Sequence, residues 1–139
     1  MKGIIITGHG NFATGLASTL KLVVGEQEKI SFIDFTEELS SGELNKKIEN
    51  AILTLNNEEG IFIFADILGG APFNESAMLA TKYSNITVFG GANMAMIFEA
   101  LDIREEENEG DSILEEGRDG IGVFTNSLNF TEDSDEDGI

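Results

Sequence analysis

Four short apolar runs, each followed by a stretch with apolar residues at helical spacing, restrict this chain to one fold class. Lys2 to Thr7 contains Ile4, Ile5 and Ile6 in succession, and β-branched residues resist helix and suit a strand. Asn11 to Val24 then carries Phe12, Leu16, Leu20 and Val23 or Val24 at close to helical spacing, before Gly25 stops it. Ile30 to Phe35 reads as a second strand. Ser41 to Leu55 reads as a second helix, with Leu44, Ile48, Ile52 and Leu55 on one face and the S-x-x-E capping box Ser40-Ser41-Gly42-Glu43 at its start. Ile61-Phe62-Ile63-Phe64-Ala65 is a continuous apolar run, the pattern of a strand covered on both faces. Pro72 stands where the first turn of a third helix, reaching about Tyr83, tolerates it. Ile86 to Phe89 and then Asn93 to Leu101, with Met94, Met96, Ile97 and Leu101, make the fourth strand and helix.

Such alternation implies a parallel sheet with helices on both faces, because each crossover is right-handed and must cover the sheet. The expected fold is α/β: one domain, an open sheet of four strands in the order 2-1-3-4, flanked by helices. Arg104 to Asp111 reads as a charged connector, Ser112 to about Arg118 as a short last helix, and Ile121 to Phe124 as a candidate final strand. The domain is expected over residues 1–125. Residues 126–139, where Glu132, Asp133, Asp135, Glu136 and Asp137 stand among Ser, Thr and Gly without an apolar period, are expected to form an acidic, disordered tail.

Composition removes several function classes. There is no cysteine and one histidine, so disulfides and cysteine-based zinc sites are excluded, and neither a metal nor a cofactor is expected. No window approaches the roughly 20 apolar residues of a membrane span, and Met1-Lys2-Gly3 runs straight into a strand, so a cytoplasmic location is expected. A formal net charge of -18, from 26 acidic and 8 basic residues, repels nucleic acid and anionic membranes and favours basic partners.

In open parallel sheets the site lies beyond the carboxyl ends of the strands, where the strand order reverses. His9, Asp66, the turn from Gly69 to Asn74, and Gly90-Gly91 all fall at such ends. Each has a plain alternative: a loop histidine is often incidental, an aspartate after a strand can cap a helix, and paired glycines are common in turns. Together they say more. If strands one and three are neighbours, Asp66 can accept a hydrogen bond from one imidazole nitrogen and leave the other's lone pair free to attack. Backbone N–H groups of Gly69, Gly70 and Ala71, entering a helix, form a candidate anion cradle. That set suggests a phosphoryl group carried on His9. Phe12, Leu68 and Phe73 near the site, and Met94 beyond it, serve packing or partner docking.

A rival reading has a motif of its own. Gly8-His9-Gly10-Asn11-Phe12-Ala13 satisfies the G-x-G-x-x-G/A dinucleotide fingerprint, and Asp34 stands about 20 residues on, where a ribose-binding acid belongs. It would make the chain a small nucleotide-binding or regulatory module. It leaves Asp66 and the second glycine turn without a role.

Four segments resemble, in order and spacing, the enzyme IIA component of the mannose family of the bacterial phosphoenolpyruvate-dependent sugar phosphotransferase system. They are Ile5-Ile6-Thr7-Gly8-His9-Gly10, Phe32-Ile33-Asp34-Phe35, Asp66-Ile67-Leu68-Gly69-Gly70-Ala71-Pro72-Phe73-Asn74 and Glu116-Gly117-Arg118-Asp119-Gly120. The resemblance implies a phosphotransferase in which His9 accepts a phosphoryl group from the phosphocarrier HPr and passes it to a IIB subunit, which serves membrane IIC and IID subunits. It implies Asp66 as the partner of His9, and a homodimer in which a C-terminal strand, here Ile121 to Phe124, is exchanged. Many members carry serine where this chain has Ala71, so only a backbone N–H can serve at that position. Which sugar is transported is not written in this chain.

Overall fold

The computed structural model describes residues 1–56, 58–108 and 110–126. Its elements are β1 (Gly3–His9), α1 (Phe12–Val24), β2 (Ile30–Phe35), α2 (Ser41–Leu55), β3 (Ile61–Ala65), α3 (Ala71–Lys82), β4 (Ile86–Phe89), α4 (Met94–Ile103) and α5 (Asp111–Asp119). The four strands form one parallel sheet in the order β2-β1-β3-β4, as expected from the chain.

Two apolar layers hold the sheet. Ile4, Ile6, Phe62, Phe64 and Phe89 point to one face, against Ala13 and Leu20 of α1, Met96, Ile97 and Ala100 of α4, and Ile113 of α5. Ile5, Ile33, Ile61 and Ile63 point to the other, against Leu44, Ile48 and Ile52 of α2 and Leu79 of α3. Every residue of β3 is buried, which is why its sequence shows no polar alternation. Removing one large ring from this layer, as in Phe62→Ala, costs about 3–5 kcal/mol. At the capping box before α2, the Ser40 side chain accepts from Glu43 N and the Glu43 carboxylate from Ser40 N.

Chain direction decides where the site falls. From β1 the chain steps outward to β2, then crosses back over β1 to β3, so the reversal lies between β1 and β3. The helices follow from right-handed crossovers: α1 covers one face, and α2 and α3 the other.

Two boundaries differ from the sequence reading for physical reasons. β1 continues through Gly8 and His9, which still pair with Asp34 and Phe35 of β2, so His9 stands on the last rung of the sheet rather than in a loop. α4 continues to Ile103, because Leu101 and Ile103 still pack on the core. In the single chain, Ile121–Phe124 lies outside the four-stranded sheet and is not a strand; Ile121 is 74% exposed and Phe124 63%. The expected acidic tail, from residue 127 on, lies outside the described residues.

Candidate active site

Register brings the two expected site residues together. Thr7 pairs with Ala65, so the last residue of β1, His9, and the first residue past β3, Asp66, meet at the reversal. Asp66 Oδ2 accepts from the backbone N–H of His9 at 2.8 Å and faces its Nδ1 at 3.0 Å, with Oδ1 at 3.2 Å from Nδ1. Oδ1 also accepts from Ile67 N at 2.8 Å. Two backbone donors therefore fix the carboxylate before the imidazole is considered. A carboxylate only accepts, so Nδ1 carries a proton, and in the neutral ring Nε2 is the nitrogen that keeps its lone pair. The Asp66 side chain is 10% exposed and the imidazole 43%, so an oriented base is presented to solvent. The ring of Phe35 lies 5.7 Å from that of His9, tilted against it.

The glycine turn is built around the same imidazole. Gly69 has φ +85°, which an L side chain adopts only with strain, and Gly70 N donates to Ile67 O at 3.0 Å to close the turn. A Cβ placed on Gly70 would stand 3.1 Å from His9 Cε1, so this glycine gives clearance to the ring. Leu68 is laid against Gly90, where a Cβ would come within 2.7 Å of the leucine side chain. Gly70 then caps α3 without a side-chain oxygen. The N–H groups of Gly69, Ala71 and Phe73 have no backbone acceptor among the described residues, and they stand at the positive end of the helix.

The expected cradle of Gly69, Gly70 and Ala71 is thereby divided. Gly70 directs its hydrogen into the turn, while Phe73, expected for packing or docking, adds an N–H with no backbone acceptor among the described residues. Nothing in the sequence separates these cases, because the difference lies in which way each peptide faces. Asn74 is a further residue of the site: its Nδ2 donates to Gly69 O at 2.9 Å. It belongs to the quoted motif, but only the turn geometry shows what it holds.

The residues expected for docking are less uniform than their chemistry. Leu68 is 70% exposed and Ile67, absent from the expected set, 53%. Phe12 and Met94 are partly buried against the α1/α4 layer, and Phe73 is half-buried on α3. Phe73 and Leu68 line a groove of about 700 Å³ that runs beside β4 past Met96, Leu114, Arg118 and Ile121. Gly117 of the last motif lets α5 approach α4, since a Cβ there would come within 2.5 Å of Met96.

The dinucleotide reading loses its supports. Asp34 accepts from Thr14 N at 3.0 Å and Thr14 Oγ1 at 2.7 Å, so the acid tethers the first turn of α1. Gly8 lies under the Phe12 side chain, where a Cβ would come within 2.5 Å. The first glycine thus accommodates a phenylalanine.

A family model described as PTS system fructose IIA component, EIIA-man, matches residues 3–116. The chain is 30% identical over 122 residues to the PTS system mannose-specific EIIAB component of Escherichia coli (strain K12); the match covers 85% of this chain, which spans 38% of that protein's length. It is 27% identical over 105 residues to the PTS system fructose-specific EIIA component of Bacillus subtilis (strain 168), covering 76% of this chain and 72% of that one. The crystal structure of phosphotransferase system component EIIA from Streptococcus agalactiae superposes with a TM-score of 0.80 at 32% identity, over 87% of this chain and 95% of that one. With the family model spanning both halves of the site, the chain belongs to the mannose family of EIIA components of the phosphotransferase system.

Proposed function

We propose that the protein is a phosphoryl carrier that accepts a phosphoryl group on Nε2 of His9 from HPr and delivers it to the IIB subunit of a sugar transporter. The observation that carries this reading is the Asp66 carboxylate on His9 Nδ1, beside the N–H groups at the start of α3 that find no backbone acceptor among the described residues. As the Nε2 lone pair forms its bond to phosphorus, the bond from phosphorus to the donor breaks, and positive charge develops on the imidazole. Asp66 offsets that charge, and the free N–H groups of Gly69, Ala71 and Phe73 receive the phosphoryl oxygens. Ala71 contributes its N–H alone.

Delivery needs exposure, which Ile67 and Leu68 provide as an apolar rim beside His9. The net charge of -18 favours a basic donor. We place the exchange in the cytoplasm, with IIB passing the group toward membrane IIC and IID subunits; among the described residues no helix is long and apolar enough to cross a membrane. We further propose a homodimer in which Ile121–Phe124 of each copy adds to the outer edge of β4 in the other. Support comes from the place of β4 at the edge of the sheet among the described residues, the apolar groove beside it and the exposure of Ile121 and Val123.

The test is incubation with phosphoenolpyruvate, enzyme I and HPr. The protein should gain one phosphoryl group, stable to alkali and lost in acid, and His9→Ala should gain none. Labelling that persists in His9→Ala would sink the reading.

A further inference from the structure

We propose that Asn74 is a positioning residue of this site: its side-chain amide latches the Gly69–Gly70 peptide, holding the turn that sets the N–H groups of Gly69 and Ala71 at the start of α3 and the Gly70 backbone beside His9. The proposal rests on His9 as the phosphoryl acceptor and adds a residue that acts through the turn.

Asn74 holds both carbonyls of the glycine pair. Its Nδ2 donates to Gly69 O at 2.9 Å, and its backbone N donates to Gly70 O at 2.8 Å. The backbone bond is the ordinary first bond of α3 and any residue except proline makes it. The side-chain bond is particular to this residue, since it needs a donor on a short arm. What it restrains is a peptide flanked by two residues without Cβ, the kind that rotates against least steric resistance. Gly70 N also closes the turn on Ile67 O at 3.0 Å, so the one peptide is gripped at its oxygen and at its nitrogen.

Turning that peptide over would break both grips. It would set the Gly69 carbonyl against the Ile67 carbonyl that now accepts from Gly70 N, and so open the turn that carries the N–H groups of Gly69 and Ala71 at the start of α3. It would also shift the Gly70 backbone, against which His9 Cε1 lies closely enough that a Cβ would be 3.1 Å away. One side-chain hydrogen bond therefore bears on both the anion cradle and the imidazole. Asn74 itself is exposed, contributes to neither apolar layer, and is a weaker helix former than many polar alternatives. Its removal leaves the core untouched, which makes the latch testable.

The experiment uses the full chain with Asn74→Ala and Asn74→Asp, the latter keeping the shape while replacing the donor by an acceptor. In the unphosphorylated protein, amide NMR should show the Gly69 and Gly70 signals shifted or broadened by exchange in both variants, with the melting temperature held within about 2 °C. Transfer from phosphorylated HPr should lose about tenfold in maximal rate while the half-saturating donor concentration stays within about twofold. Unchanged glycine signals together with a rate within about twofold of the parent would overturn the proposal. So would a rate loss that appears only as weaker donor binding, or only with a lowered melting temperature. If the parent protein takes no phosphoryl group, the reading of His9 falls, and the glycine signals still decide whether the latch exists.

Discussion

Replacing Asp66 by asparagine removes one negative charge while preserving the side chain's shape, and its consequence for phosphoryl transfer can be worked from the geometry. Asp66 Oδ2 lies 3.0 Å from Nδ1. A unit charge pair at that distance is worth about 5.5 kcal/mol at an effective dielectric of about 20, and about 1.4 kcal/mol at that of water. The site lies between those limits, since the carboxylate is 10% exposed and the imidazole 43%. Positive charge appears on the ring only as Nε2 bonds to phosphorus, so the attraction favours the transition state over the resting protein. A loss of about 2–3 kcal/mol, or a fall in transfer rate of roughly 30- to 150-fold, is expected. Both carboxylate oxygens accept from backbone N–H groups, those of His9 and Ile67, so either orientation of the new amide sets an NH₂ against a donor. That mismatch costs about 1–3 kcal/mol of stability, so the rate is measured by rapid quench well below the variant's own melting temperature. A folded Asp66→Asn protein transferring within about threefold of the parent rate would refute the electrostatic role.

Other substitutions separate clearance from stability. Gly70→Ala should leave the melting temperature unchanged or slightly raised, since φ -79° suits alanine, yet slow transfer about tenfold by pressing on His9 Cε1; a parent-like rate would show that the imidazole has room to spare. Gly8→Ala should destabilise by about 1–3 kcal/mol in chemical denaturation, because its Cβ would come within 2.5 Å of the Phe12 side chain. The Lys82 ammonium and the Tyr83 hydroxyl, hydrogen-bonded to Glu49, hold its carboxyl below the ordinary value of 4.5. A depressed folded value contributes stability that is present above 4.5 and lost as pH falls through the folded value, so Glu49→Gln should lower the melting temperature at neutral pH and lose its effect in acid. Association with HPr should slow as salt rises, given the charge of -18; an unchanged rate would remove electrostatic steering.

The sheet was legible because its signals are local and repeated. A β-branched run, a five-residue apolar run and helical spacings each report burial on a known face, and strand adjacency then brings Asp66 to His9. The finer site was not legible, because it depends on where backbone groups point. Gly69, Gly70 and Ala71 look alike as small residues in a turn, yet one N–H is directed to Ile67 O and the others meet no backbone acceptor among the described residues. Asp34 sits at the spacing of a ribose-binding acid, but the same spacing sets it against the first turn of α1, where Thr14 donates twice. Gly8 and Gly10 satisfy a phosphate-binding pattern, although one clears a phenylalanine ring and the other takes φ +60° at the strand's exit. Ile121–Phe124 has the composition of a strand but lies outside the four-stranded sheet of the described residues, a distinction that its own sequence does not carry.

His9 is the only histidine in the chain, so its ring nitrogens give a single pair of signals in long-range ¹H–¹⁵N NMR. Recorded before and after treatment with phosphoenolpyruvate, enzyme I and HPr, that spectrum bears directly on the central assignment. The expected result is a proton on Nδ1 throughout, held by Asp66, and phosphorus bonded to Nε2 after treatment. Phosphorus on Nδ1, or a fully unmodified ring in a protein that has nonetheless gained a phosphoryl group, would contradict it.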